Sequence, residues 1–261
     1  TTELAVDPNP TFLAHYNANA NADYTYTSLN IPWYPLYNSG TTNATGLISN
    51  GLLVNSTDRL SYGGYNLKNE EGTIEMWVKP NWNGNNTETH TFFATYPADN
   101  VLIYNFIFDK FYNINAPSKI GLSAWSETQN GPQGLVNANI SQWKSGEWHH
   151  IAISWGTQGR KLYVDGMMVD DNTYSGPLRS YPTPAGKAPY FTIGTNTLAL
   201  NETANSVFDE IKISNTQKAG SEIFDDYLLG LSMIPLANLS YKKISNYQFI
   251  VYSNHTLFLD S

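Results

Sequence analysis

No cysteine occurs anywhere in the chain. That excludes a disulfide framework, a thiolate metal site and cysteine nucleophiles. Basic residues are scarce as well, with 14 Lys and Arg against 22 Asp and Glu, for a formal net charge of −8. Nowhere do more than two of them stand together. Neutralising a run of phosphates needs a basic face, so no nucleic-acid partner is expected. Long apolar runs are missing too. The best, from Tyr227 to Leu239, is broken by Gly230 and Pro235, and no membrane insertion is expected. There is no H-E-x-x-H, no G-x-S-x-G and no phosphate-cradling glycine loop.

What is present is aromatic and polar. Hydrophobic residues make up 41%, aromatics 14% and charged residues only 14%. Too many aromatics for a disordered chain, and a polar but weakly charged surface, describe a folded protein, and 261 residues suffice for one large all-β domain or two small ones. The stretch from Trp143 to Asp171 reads as three consecutive antiparallel strands. His149, Ile151, Ile153 and Trp155 fall on one face, and Trp148, His150, Ala152 and Ser154 on the other. The adjacent His149 and His150 therefore point apart and cannot share a metal ion within the sheet; both read as structural. Asp165-Gly166 is a type I′ hairpin signal, because that turn needs positive φ at both central residues.

The same period of two recurs from Glu71 to Lys79, with Ile74, Met76 and Val78 on one face and Thr73, Glu75, Trp77 and Lys79 on the other; Pro80 ends the run. Further strands are predicted at 11–16, 51–55, 60–62, 91–95, 101–109, 119–125, 190–194 and 206–214. Residues 24–46, 127–147 and 172–188 read as loops. Ser221 to Leu229 predicts a short helix with Ser221 as N-cap, a stripe of Ile223, Phe224, Tyr227 and Leu228, and Gly230 as C-cap. Segments 247–252 and 256–259 alternate around Ser253-Asn254-His255 and predict an extra hairpin.

Three of these stretches carry a resemblance. G-E-W-H-H-I-A-I-S-W followed by K-L-Y-V-D-G, the strand 72–80, and F-D-E-I-K-I at 208–213 are similar to laminin-G-like jelly-roll domains of the concanavalin A-like lectin and glucanase superfamily. The resemblance covers roughly residues 11 to 229. It implies an antiparallel jelly-roll β-sandwich with one short C-terminal helix. The domain reading is an N-terminal arm at 1–10, the jelly roll at 11–230, and a C-terminal strand extension at 231–261 that packs on the same or a neighbouring domain.

The resemblance also implies sites. Glycan binding in such domains uses aromatic platforms, for which Trp77, Tyr104 and Trp125 on sheet faces and Trp82 in a loop are the candidates. Calcium in such domains sits at the sandwich rim on hard oxygen donors, which makes Asp109, Asp170 and Asp171 the metal candidates. No cofactor is required by the reading, with Ca²⁺ the one contemplated. Glucanases of the superfamily carry E-x-D-x-x-E on a strand, and no Glu here is followed by Asp at the second position, so no enzyme is expected. Sequons for N-glycosylation stand at Asn43, Asn55, Asn85, Asn139, Asn201, Asn238 and Asn254.

The chain starts Thr1-Thr2-Glu3 without methionine, the expectation for a mature extracellular or surface-exposed protein after signal removal. Two functions follow. One is a non-catalytic structural subunit of a cell-surface, filament or virion assembly, in which the arm and the extra hairpin add strands to copies of itself or to other surface proteins. The other is a glycan-binding, lectin-like adhesin, with or without calcium.

Overall fold

The computed structural model describes residues 10–25, 33–97, 106–111, 121–126, 133–178, 188–196, 202–234, 249–253 and 256–260. Two antiparallel sheets face each other across an apolar core. The first, of nine strands, runs in spatial order β14 (Met167–Asn172), β13 (Gly159–Val164), β12 (His149–Gly156), β7 (Gly72–Pro80), β16 (Ser206–Ser214), β1 (Pro10–Ala14) and β2 (Tyr24–Thr25). Beside β16 it also takes in β5 (Asn50–Val54), which carries β4 (Thr42–Thr45). The second, of seven strands, runs β11 (Gln133–Ala138), β10 (Gly121–Ser126), β9 (Phe106–Phe111), β8 (His90–Tyr96), β15 (Tyr190–Ile193), β6 (Arg59–Gly63) and β3 (Tyr37–Ser39). A helix, α1 (Gly220–Met233), follows β16. Strands β17 (Phe249–Ser253) and β18 (Thr256–Asp260) form the expected hairpin, paired only with each other among the described residues.

The alternation in the sequence decides which side chains meet the core. Ile74, Met76 and Val78 of β7 and Ile151, Ile153 and Trp155 of β12 are buried there, opposite Phe93, Phe106, Phe108 and Phe191 of the other sheet. Asp165 and Gly166 both hold positive φ, 50° and 77°, as a type I′ turn requires. Asp165 does more than turn the chain. Its carboxylate accepts the backbone N–H of His150 at 3.1 Å and faces His149 Nδ1 at 3.2 Å, tying the hairpin tip back to β12. The Phe208-Asp209-Glu210 signature marks where β16 changes neighbour, from β5 along 206–208 to β1 along 211–214. At this bulge Glu210 has φ +51°, and Asp209 accepts the N–H groups of Leu47, Ile48 and Glu210.

The nine-stranded sheet is covered on its outer face as well. There α1 lays Ile223 against Ala152 and Tyr163, and Tyr227 against Trp77, whose rings stack at 5.7 Å. Beneath the helix lies a balanced cluster of charges. Lys218 Nζ donates to Glu75 at 2.6 Å and to Asp226 at 2.9 Å, and Lys212 Nζ lies 2.8 Å from Asp226. Burial opposes the charge on Lys218, but Glu75 and Asp226 hold its ammonium above the ordinary lysine range. His150 is enclosed beside them, its Nε2 3.6 Å from Glu75. Burial, reinforced by Lys212, pushes the His150 imidazolium down to about 3, so the ring is neutral.

Several local expectations change. The helix starts at Gly220 with Ala219 as N-cap, whose N–H is taken by the Glu222 carboxylate, so Ser221 lies inside it. Gly230 is no cap either. It lies within α1 where a Cβ would come 2.5 Å from Trp77 Cζ2, and its missing side chain lets the helix settle on the indole. The segment 127–147 contains β11, hidden in the sequence by Gly134. That glycine has φ +60°, and a Cβ there would meet the Arg160 side chain at 2.6 Å. Arg160 crosses from β13 to donate to Gln133 O and Ser126 Oγ of the opposite sheet. Segment 24–46, read as loop, holds β2, β3 and β4. At the open edge, β14 exposes Met167, Met168 and Val169, followed by Asp170 and Asp171.

Two outcomes test this account. Gly→Ala inside a helix normally stabilises, yet Gly230→Ala is expected to cost about 1–3 kcal/mol because the overlap with Trp77 outweighs helix propensity. The melting temperature should fall by roughly 2–4 °C per kcal/mol in a chain of this size. The second concerns pH. The folded value of His150 lies below its unfolded 6.5, so the stability it contributes is present above about pH 6.5 and is lost as pH falls toward 3. In His150→Asn, urea midpoints should therefore decline less than those of the parent between pH 7 and 4.

Candidate functional site

α1 closes one outer face; on the seven-stranded sheet the outward row is itself largely buried, with Ser61, Thr192, Ala94 and Ile107 at 0–2% exposure, and solvent reaches it at its margins, at Tyr37 and at Trp125. Cross-strand register lines up Tyr37, Ser61, Thr192, Ala94, Ile107 and Trp125 in one row from β3 to β10. An adjoining row holds Gly63, Tyr190 and Tyr96, the two tyrosines stacked at 4.9 Å with 13° between their planes. These residues form a small apolar cluster separate from the main core, with Ala94, Tyr96, Ile107 and Tyr190 buried and Trp125 half-buried at its margin. Polar groups continue it. Tyr96 Oη donates to Asn196 Oδ1 at 3.1 Å, and Asn196 Nδ2 donates to Glu202 at 2.8 Å. Asp109 is buried on the same face and accepts from Ser123 Oγ. Burial raises its carboxyl to about 7, with Glu202 adding to the rise and the Ser123 hydrogen bond opposing it.

The exposed aromatics gather at the β3 edge of this sheet. Trp33, Tyr34 and Tyr37 keep 56%, 54% and 47% of their surface in solvent. The backbone beneath them is pinned, because Ala22 N–H donates to Trp33 O, Leu36 N–H donates to Ser61 O, and β3 pairs with β6. Trp33 and Tyr34 meet edge to face at 6.0 Å, and the Arg59 guanidinium lies 4.3 Å over the Tyr37 ring. Flat rings, a planar donor and an ordered backbone thus stand together on the surface.

The predicted site residues are dispersed. Trp125 does lie on the outer face. Trp77 is a correction: the non-core face of β7 is the one that α1 covers, so its indole is buried against Tyr227 and Gly230 and has no surface to offer a sugar. Trp82 is corrected likewise. Its ring is buried in a ladder, parallel to His90 at 4.4 Å and stacked at 6.3 Å on Trp143, which lies 4.0 Å from His149. Tyr104 lies outside the described residues.

The metal candidates do not converge. Asp109 is inside β9 rather than at a loop edge, Asp170 accepts the N–H of Asn137, and Asp171 is exposed on β14 opposite Lys161. Among the described residues no group of three His, Cys, Asp or Glu side chains could hold a metal ion. Of the sequons, Asn43, Asn85 and Asn139 are exposed and Asn55 is half-buried at a turn; Asn201, Asn238 and Asn254 lie outside the described residues.

Sequence reasoning missed Trp33, Tyr34, Tyr37 and Arg59. The signal available was the density of aromatics in 24–37, a segment too punctuated by proline and asparagine to show a strand period. It also missed Lys110, whose ammonium donates to Asn86 O and Glu88 O at 2.6 Å each and to Asn86 Oδ1. No residue pattern marks a lysine for that role. Among the described residues no helix is long and apolar enough to cross a membrane.

Comparisons with known proteins agree with this geometry at the level of fold. Domain 4 of AbnA, a GH43 extracellular arabinanase from Geobacillus stearothermophilus solved with arabinotriose, superposes with a TM-score of 0.60 at 17% identity, covering 84% of this chain and 98% of that one. The receptor-binding domain of a botulinum neurotoxin C/D mosaic gives 0.60 at 14% identity, over 98% of this chain and 62% of that one. Trypanosoma rangeli sialidase gives 0.55 at 14% identity, over 88% of this chain and 34% of that one. The chain therefore spans less than two thirds of the toxin domain and about a third of the sialidase. Among curated proteins none matches in sequence. The sequence profile of the concanavalin A-like lectin/glucanases superfamily, in its laminin-G form, matches residues 54–224. With both the two-sheet architecture and the greater part of its length accounted for, the chain belongs to the concanavalin A-like lectin/glucanase superfamily.

Proposed function

We propose that this protein is a non-catalytic, extracellular carbohydrate-binding domain that takes neutral glycans at the β3 edge of the seven-stranded sheet. The observation that carries this reading is the exposed group Trp33, Tyr34 and Tyr37 with Arg59 over Tyr37. The C–H face of a pyranose or furanose ring packs on an aromatic plane, while hydroxyls take hydrogen bonds from guanidinium and amide donors. Because the backbone under these rings is held before any ligand arrives, little ordering cost is left to binding. A net charge of −8 disfavours sulfated or uronic-acid polymers.

Structural likeness to a domain solved with arabinotriose supports a sugar as ligand. The missing E-x-D-x-x-E arrangement supports binding rather than hydrolysis. A structural-subunit role draws no comparable support from these likenesses, and calcium is not required by the reading.

The test is a glycan array followed by calorimetry on neutral oligosaccharides, with and without chelator. Tyr37→Ala and Trp33→Ala should each weaken binding by about tenfold or more, as loss of an aromatic anchor does. Their melting temperatures should stay near the parent's, since both rings are exposed. Binding that survives the double variant, or a silent array, would remove the proposal.

A further inference from the structure

Where the β5–β6 turn meets the segments before β8 and before β16, a cleft of about 610 Å³ opens at the end of the sandwich. That is the size range of small-molecule sites. Its walls are Asn55, Ser56 and Thr57 on one side, Glu88 and His90 on the second, and Thr203 and Asn205 on the third. The set holds amides, hydroxyls, an imidazole and one carboxylate, so donors and acceptors are both plentiful. Among the described residues the lining has no Lys or Arg and no aliphatic or benzenoid side chain. A phosphate or sulfate would meet Glu88 without a cation among the described lining residues to offset it, and an apolar ligand would bury the lining's amides and hydroxyls without partners. A neutral polyhydroxylated molecule fits both conditions.

The walls are fixed in advance. His90 is buried, and its Nδ1 lies 3.0 Å from Thr203 O, which can only accept, so Nδ1 carries the proton. Nε2 then accepts from Asn86 Nδ2 at 2.8 Å, and Asn86 Oδ1 in turn accepts from Lys110. This directed chain of bonds, with the Trp82 indole flat against the imidazole, leaves His90 one tautomer and one orientation. The third wall is stitched by Ala204 N–H to Gly194 O, Trp82 Nε1–H to Ala204 O, and Asn81 N–H to Asn205 O. The turn closes on itself, Asp58 N–H donating to Asn55 O and Asn55 N–H to the Asp58 carboxylate, which leaves Ser56 and Thr57 exposed at its tip.

We propose that this cleft is a second saccharide site, for a short neutral sugar, separate from the aromatic edge and sharing no residue with it. Only the ligand class rests on the function proposed above; the cleft and its lining do not. Two sites on one rigid sandwich would bind a branched or repeating glycan with avidity beyond either alone.

The test titrates the full chain with arabinotriose and with methyl glycosides of neutral hexoses and pentoses. Calorimetry reads stoichiometry, and NMR reads the His90 Nδ1–H and side-chain amide signals of Asn55 and Asn205. Two sites per chain are expected. Thr57→Trp, which fills the mouth from an exposed position, and Glu88→Ala, which removes a carboxylate that is 72% exposed, should each weaken the cleft site about tenfold or more and leave the other intact. Tyr37→Ala should do the reverse. Persistence of the His90 shift in Tyr37→Ala supports the cleft even where the aromatic edge fails. One site abolished by Tyr37→Ala, a titration unchanged in both cleft variants, or no shift at His90 with any of the sugars would overturn it.

Discussion

Two lysines and two carboxylates are enclosed between α1 and the nine-stranded sheet, and the arrangement of the molecule follows from keeping them paired. Lys212, Lys218, Glu75 and Asp226 sum to zero charge, and each lies within hydrogen-bond reach of an opposite partner. Taking one member away would strand a charge where water is largely excluded, at a cost on the order of 3–5 kcal/mol. The helix cannot lift without parting Asp226 from both lysines, and it cannot slide because Gly230 alone fits against Trp77. One outer face is therefore committed to structure. The solvent-facing aromatics Trp33, Tyr34 and Tyr37 lie on the other sheet, at its β3 edge.

Much of this scaffold was legible in the sequence, because a period of two needs nothing but neighbours to be read. The strands at Gly72–Pro80, His149–Gly156 and Ser206–Ser214, the Asp165-Gly166 turn and the helical stripe near residue 223 all came out as the residue spacing predicts. The period tells which side chains share a face. It does not tell what covers that face. Trp77 alternates away from the core and on that ground alone suits a surface platform, but a helix more than a hundred residues later in the chain lies over it. The same limit applies to Trp82, a loop residue enclosed by rings from two other segments of the chain, β8 and the loop at Trp143. Conversely Gly134 and the prolines near Trp33 concealed strands whose irregular backbone answers to Arg160 and to an edge position, neither of which is local information.

The ends of the sandwich are governed by a different chemistry from its middle. Between the sheets, packing is aromatic and aliphatic, with phenyl rings meeting at 5–6 Å. At the rim, parallel rings and directional hydrogen bonds hold loops that have no ladder of their own. The run His90, Trp82, Trp143, His149 joins strands of both sheets through two loops. Lys110 supplies the same loop with the three acceptor-directed bonds that a strand would otherwise provide. Loops fixed in this way can carry binding groups with little entropic loss on ligand capture.

The outermost strand of the nine-stranded sheet has a bearing on how copies of this protein behave toward each other. β14 places three apolar side chains, Met167, Met168 and Val169, in solvent on a strand whose outer margin has no ladder partner among the described residues, the kind of edge on which another chain could add. Directly after them come two aspartates, and opposite them the register slips between Leu162 and Tyr163. Two negative charges and a bulge are the features by which β-proteins discourage edge-to-edge growth. Asp170 and Asp171, which do not gather as metal ligands, thus place negative charge along this edge, Asp170 while accepting the N–H of Asn137 and Asp171 in solvent.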